Sequence, residues 1–166
     1  MKIIKLESDR IADAKNLVFG VFGRGMDLPE RTSFWVYKHK DKLLAKLLMK
    51  VFGYTELLEY YVAVDHNNHI CGTTGFYSNK EDEDEAIWLS WFCVGPAYRG
   101  RGIAKQLIEF SIEEAKRRGY KYFRLYTSND PGEVNAQFLY EKYGFKITGE
   151  EQKNGHTIFY REKLLK

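Results

Sequence analysis

The chain has 166 residues, 44% of them hydrophobic and 30% charged. That length suits one domain able to bury roughly 68–70% of its unfolded surface, and 16% aromatics with only 3 prolines exclude intrinsic disorder. Lys+Arg 26 against Asp+Glu 23 leaves +3, too small an excess to point to nucleic acid, while Cys71 and Cys93 make neither a disulfide framework nor a metal-ligand cluster.

Met1 to Arg10 lacks a signal-peptide apolar run, and no stretch approaches the ~18 apolar residues of a membrane helix. The expected setting is therefore cytoplasmic, away from membranes, with reduced thiols. Ile3 and Ile4 mark a strand over Lys2 to Glu7, after which Ser8 or Asp9 offers a capping oxygen to a helix. Ile11, Ala14, Leu17, Val18 and Val21 recur at helical spacing until Gly20, Gly23 and Gly25 dissolve the pattern. A second amphipathic helix is expected from about Thr32 or Ser33 to Val51, with Trp35, Leu43, Leu44, Leu47 and Leu48 on one side.

At Leu58 the period changes to two. Tyr60, Val62 and Val64 form one strand and Ile70 to Phe76 the next, joined by the polar turn Asp65 to His69. The carboxylate-rich turn Lys80 to Glu85 leads into Ala86 to Val94, a strand apolar on both faces and hence expected at the centre of a sheet. A helix follows from about Arg101 to Arg118, ended by Gly119, with Glu113–Arg117 and Glu114–Arg118 paired on its solvated side. Tyr122 to Thr127 is a strand. Asp130-Pro131-Gly132-Glu133 reads as a capping box that opens a helix ending near Gly144, and Phe145 to Gly149 with Thr157 to Glu162 close the chain as a hairpin. The order β-α-α-β-β-β-α-β-α-β-β predicts an α/β (α+β) fold, a mixed and mostly antiparallel sheet of about seven strands flanked by helices, in one domain over residues 1–166. The strand–helix–strand unit from Ile87 to Thr127 supplies the parallel pair.

The most informative segment is Val94-Gly95-Pro96-Ala97-Tyr98-Arg99-Gly100-Arg101-Gly102-Ile103-Ala104. A strand ends, Pro96 stiffens the turn, two glycines at alternate positions bare the backbone, and a helix starts at once. Backbone N–H groups and the positive end of the helix dipole then face one space, with Arg99 and Arg101 beside them, as a diphosphate requires. The segment is neither Gly-x-x-x-x-Gly-Lys-Ser/Thr nor Gly-x-Gly-x-x-Gly, since Lys105 stands at the third glycine position. The other reading of two such glycines is a tight strand–helix turn with no ligand.

Arg99-Gly100-Arg101-Gly102-Ile103-Ala104 resembles the Arg/Gln-x-x-Gly-x-Gly/Ala signature of the GNAT superfamily of acetyl-CoA-dependent N-acetyltransferases. Phe138-Leu139-Tyr140-Glu141-Lys142-Tyr143-Gly144-Phe145 resembles the family's Leu-Tyr-Glu-Lys-x-Gly-Phe segment, and the order of elements agrees. The resemblance implies the acyltransferase fold and acetyl-CoA as donor, without a metal. It implies that the pyrophosphate lies on the backbone of Arg99, Gly100, Arg101, Gly102, Ile103 and Ala104. The pantetheine arm would pair with Phe92, Cys93 and Val94 as an added strand.

By the same resemblance Tyr140 protonates the departing thiolate. The family's two usual positions for a basic carboxylate fall on Trp88 and near Tyr126, so Glu85, acting through water placed by Ser90, is the candidate base. Where the family has an asparagine seven residues before the tyrosine, this chain has Glu133, leaving Asn129 or Asn135 to touch the cofactor. Phe34, Trp35, Tyr37 and Trp88 are candidates for an acceptor pocket, and Glu81 to Glu85 for drawing in a cation. The implied acceptor is a small-molecule amine or amino acid. A protein N-terminus or lysine, or a non-catalytic CoA-binding module, stand as alternatives, and a homodimer is allowed.

Overall fold

A computed structural model describes residues 1–23, 26, 28–153 and 155–165, with Glu56 described by its backbone alone. The elements are β1 (Lys2–Lys5), α1 (Ile11–Phe22), α2 (Leu28–Lys38), α3 (Leu43–Val51), β2 (Tyr54–Val64), β3 (Ile70–Asn79), β4 (Ala86–Val94), α4 (Ile103–Arg117), β5 (Tyr122–Ser128), α5 (Val134–Lys142), β6 (Lys146–Lys153) and β7 (His156–Leu164). One seven-stranded sheet runs β1-β2-β3-β4-β5-β7-β6, antiparallel except for β4 with β5. The doubly apolar strand β4 is its middle member, as its composition predicts.

Helices cover both faces. Phe34, Tyr37, Ala45, Met49, Tyr60 and Val62 form the core under α1, α2 and α3. Ile87, Leu89, Ile108, Ile112, Phe123, Leu125, Tyr140 and Phe145 form the opposite core under α4 and α5.

Several local expectations are corrected. Neither Ser8 nor Asp9 caps α1; a 3-10 turn over Ser8–Arg10 leads into it, with Arg10 at the cap. The expected long helix is two, because residues 39–42 turn the chain where charged side chains give no buried contact. Splitting the helix resets the phase of α3. Ala45 and Met49 are buried against the sheet, whereas Leu43, Leu44, Leu47 and Val51 are exposed. Of the glycines ending α1, Gly20 lies inside the helix and Gly23 takes φ 69° just beyond it; Gly25 lies outside the described residues. Pro131 precedes α5 rather than opening it: Val134 is the first helical residue, and Glu133 reaches back to Ser128 N rather than to Asp130. On α4, Arg118 pairs with Glu114 as expected, but Arg117 also takes Glu114 and Glu113 goes to Lys116.

Candidate active site

The parallel ladder between β4 and β5 is short. It pairs Ala86 with Tyr122, Ile87 with Phe123 and Trp88 with Arg124, and stops there. Beyond Trp88 the strands separate, so the β5-facing edge of Leu89 to Val94 makes no ladder to β5. A bulge sits in the same stretch: Trp91 has φ 44°, rare for a bulky residue, and the β3 register shifts between Thr73–Cys93 and Gly75–Ser90. The bulge turns Trp91 toward α2, where its Nε1 donates to Ser33 Oγ at 2.8 Å, and leaves Phe92 facing α5.

The glycine loop follows directly. Gly95 N donates to Cys71 O at 2.9 Å, and Pro96–Tyr98 make a 3-10 turn. Gly100 and Gly102 then take φ 76° and 74°, a conformation that needs glycine. A Cβ at either would meet nothing within 4 Å, so the loop surface is open. Among the described residues, no backbone or side-chain acceptor takes the N–H groups of Gly100 through Lys105; the first α4 turn bonds from Gln106 N to Gly102 O. Ile103 and Ala104 open the helix, two residues later than expected. Arg99 and Arg101 brace the turn through Val94 O at 3.3 Å and Ala97 O at 3.1 Å, and Arg101 lies over the Tyr98 ring.

Tyr140 stands in the wall of the gap, 5% exposed, its ring 5.7 Å from Phe92 and 5.8 Å from Phe145. Burial, then the Glu133 and Cys93 charges, push its phenol far above the ordinary range, and no hydrogen bond to another described residue engages Tyr140 Oη. Burial pushes the Cys93 thiol up to about 12, against the opposing pull of its contact with the Thr73 hydroxyl, so it is a protonated packing group rather than a nucleophile.

The other candidates are spread more widely. Glu85 lies before β4, at the end opposite the gap, where Arg124 donates to it at 3.0 Å; eight residues of strand, about 26 Å, separate it from Cys93. Asn129 Oδ1 accepts from Thr157 N at 3.1 Å and meets His156, tying β5 to β7. Asn135 is exposed on α5. Phe34 and Tyr37 are core, with Tyr37 Oη donating to Leu6 O; Trp35 is exposed beside His39. Trp88 borders a cavity of about 460 Å³, lined also by Glu81, Asp82, Glu85, Arg124, Thr148, Tyr160, Arg161 and Glu162. Arg124 pairs there with Asp82, Glu85 and Glu162 at 2.6–3.0 Å.

Sequence reasoning missed three groups. Glu133 Oε2 accepts from Thr127 Oγ1 and Ser128 N where β5 ends, on the Tyr140 side. Arg161 is 2% exposed and donates to Gln137 and Glu141 of α5, leaving its Nε without a partner; flanking Tyr160 and Glu162 in strand alternation hinted that it points inward. Glu30 of α2 accepts from Tyr126 Oη at 2.8 Å, 96 residues apart in the chain, and nothing in the local sequence marks that pair.

A splayed central parallel pair, an open amide loop after it and a buried tyrosine in its wall occur here together. Residues 56–147, more than half of the chain, match the family described as acetyltransferase (GNAT) domain. The chain belongs to the GNAT acetyltransferase family. It is 27% identical over 84 residues to the spermine/spermidine N(1)-acetyltransferase of Bacillus subtilis (strain 168), covering 51% of this chain and 55% of that protein. It is 32% identical over 87 residues to a histone acetyltransferase of the MYST family of Arabidopsis thaliana, covering 51% of this chain and 20% of that one. The chain thus spans about half the length, or less, of these curated relatives. Among solved structures, a GNAT-family acetyltransferase from Staphylococcus aureus Mu50 matches with TM-score 0.75 at 17% identity over 99% of each chain. An aminoglycoside 6'-N-acetyltransferase complexed with coenzyme A matches with TM-score 0.70 at 15% identity, over 99% of this chain and 97% of that one. Both show the same fold. Among the described residues no His, Cys, Asp or Glu cluster is spaced for a metal, and no helix is long and apolar enough to cross a membrane.

Proposed function

We propose that residues 1–166 form one N-acetyltransferase domain that moves acetyl from acetyl-CoA to a primary amine of a small molecule by direct attack. The observation that carries this is the β4–β5 gap: an unpaired strand edge leading into a loop of unpaired N–H groups, with Tyr140 Oη in its wall. Acetyl-CoA fits these residues and would supply the activated acetyl group. Phe92, Cys93 and Val94 offer main-chain edge groups to its amides. Arg99 to Ala104 offer N–H donors and a helix N-terminus to its diphosphate. Tyr140 Oη keeps its proton at working pH because burial disfavours the phenolate, and so holds that proton for the leaving sulfur.

The acceptor side lies on the opposite face. The 460 Å³ cavity beside Trp88 sets the carboxylates of Glu81, Asp82, Glu85 and Glu162 against the two arginines Arg124 and Arg161, and its wall residue Tyr160 stands 6.5 Å from Tyr126 at the gap. Such a lining favours a cationic amine of small-molecule size. The test is calorimetric titration of acetyl-CoA followed by thiol release with alkyl amines, polyamines and peptides. Release with small amines is expected. Release with peptides alone would move the acceptor class to protein, and tight binding without turnover would leave a CoA-binding module.

A further inference from the structure

We infer that Glu30 is the base that takes the proton from the acceptor amine, held at the gap by Tyr126. This rests on the acetyl-transfer reading above and supplies a group that reading lacks.

Trp88 and Arg124 are the last pair of the β4–β5 ladder, so Tyr126, two residues further along β5, flanks the open gap. Strand alternation divides its neighbours. Leu125 packs into the core with Tyr140, and Thr127 bonds to Glu133 at the α5 N-cap; Tyr126 points the other way and donates to Glu30 Oε1 at 2.8 Å. The first turn of α2 thereby brings a carboxylate to the gap from the face opposite Tyr140. The positions at which the family resemblance implies a basic carboxylate hold Trp88 and Tyr126, and Glu85 is tied to Arg124 at the far end of the strand. Glu30 is the carboxylate that the fold, rather than the local sequence, delivers to the gap.

The two faces then have separate tasks. An ammonium acceptor gives one proton to Glu30 and becomes a nucleophile, since an amine near pKa ~10 is almost wholly protonated at neutral pH. The N–C bond forms as the C–S bond breaks with its electron pair on sulfur, and sulfur takes the Tyr140 Oη proton. The second nitrogen proton returns to Tyr140 through solvent, and Glu30 releases its own to solvent. The products are an acetamide, a thiol and one proton.

Glu30→Gln tests this, because glutamine still accepts the Tyr126 hydrogen bond and keeps α2 in place. The probes are 1,4-diaminobutane and spermidine, which are protonated at neutral pH, and phenylhydrazine, which is largely neutral and needs no base. The variant is expected to lose ~10²-fold or more in kcat with the alkyl amines and no more than a few-fold with phenylhydrazine. Diaminobutane binding to the CoA-saturated protein, read by calorimetry, should weaken about tenfold, while acetyl-CoA affinity and melting temperature stay as in the wild type. Glu30→Asp should recover part of the alkyl-amine rate, and Tyr126→Phe should raise KM more than it lowers kcat. Equal losses on both amine classes, or none on either, would overturn the role of Glu30. Failure of the wild type to acetylate any of these amines would instead overturn the small-amine reading, and this assignment with it.

Discussion

Tyr140→Phe isolates one hydroxyl. The ring keeps its contacts with Phe92 and Phe145, and Tyr140 Oη has no hydrogen-bonding partner among the described residues to abandon. Replacing a hydroxyl that makes no hydrogen bond within the described protein by hydrogen costs about 1 kcal/mol or less and can stabilise, so the melting temperature should move by no more than ~4 °C. The strand edge and the Arg99–Ala104 loop are untouched, so the acetyl-CoA dissociation constant should stay within about twofold. Proton donation to a leaving group contributes ~10²–10⁴-fold, and kcat should fall by that factor, ~3–5 kcal/mol of barrier at 1.36 kcal/mol per tenfold. Thiol release under saturating acetyl-CoA, with calorimetry and a thermal melt on the same preparation, reads all three quantities. Tyr143→Phe is the control, because Tyr143 Oη bonds to exposed Glu109 outside the gap. Wild-type kcat in Tyr140→Phe would remove the phenol from the mechanism, and a parallel loss of acetyl-CoA affinity would make it a packing group.

Gly102→Ala places a Cβ in open space but at φ 74°, so its cost is conformational, about 1–2 kcal/mol; a melting point lowered by ~2–8 °C with weaker acetyl-CoA binding is expected, and an unchanged melt would refute the strain. Glu114 gives a pH test: the hydrogen bond from Arg117, joined by Arg118, holds its carboxyl down to about 2. A depressed carboxyl contributes stability above its unfolded pKa and loses it as pH falls through the folded value. Allowing for screening at exposed Arg117, the contribution is about 1–2 kcal/mol. Glu114→Gln should therefore melt below the wild type at pH 6, and thermal melts should converge as pH approaches 2; a gap that persists there would contradict the pairing.

Periodicity and punctuation made much of the fold legible. The doubly apolar run Ala86 to Val94 is the central strand, and Gly100 and Gly102, expected to bare the backbone, take left-handed conformations in an open loop. The α2–α3 break was hidden because no Gly or Pro marks it; Lys38 to Lys42 is equally compatible with an exposed helical turn. Once α3 was free to rotate, Ala45 served the close approach to the sheet and the leucines faced out. Tyr140 could be placed because its motif is local. Glu30 could not, since its meaning depends on a contact across 96 residues; strand alternation hints that Arg161 points inward, but nothing local marks its partners Gln137 and Glu141 on α5. The carboxylate run before β4 looked like a solvated turn, yet Asp82 and Glu85 are gathered onto Arg124, a partner from a strand beyond the crossover helix.

The most direct test of the gap as the seat of acetyl transfer is a crystal structure of the protein with CoA. The account predicts the diphosphate on the N–H groups of Gly100 to Lys105, the pantetheine arm along Phe92 to Val94, and the sulfur within hydrogen-bond reach of Tyr140 Oη. CoA bound elsewhere, or in the gap with its sulfur turned away from Tyr140, would contradict it.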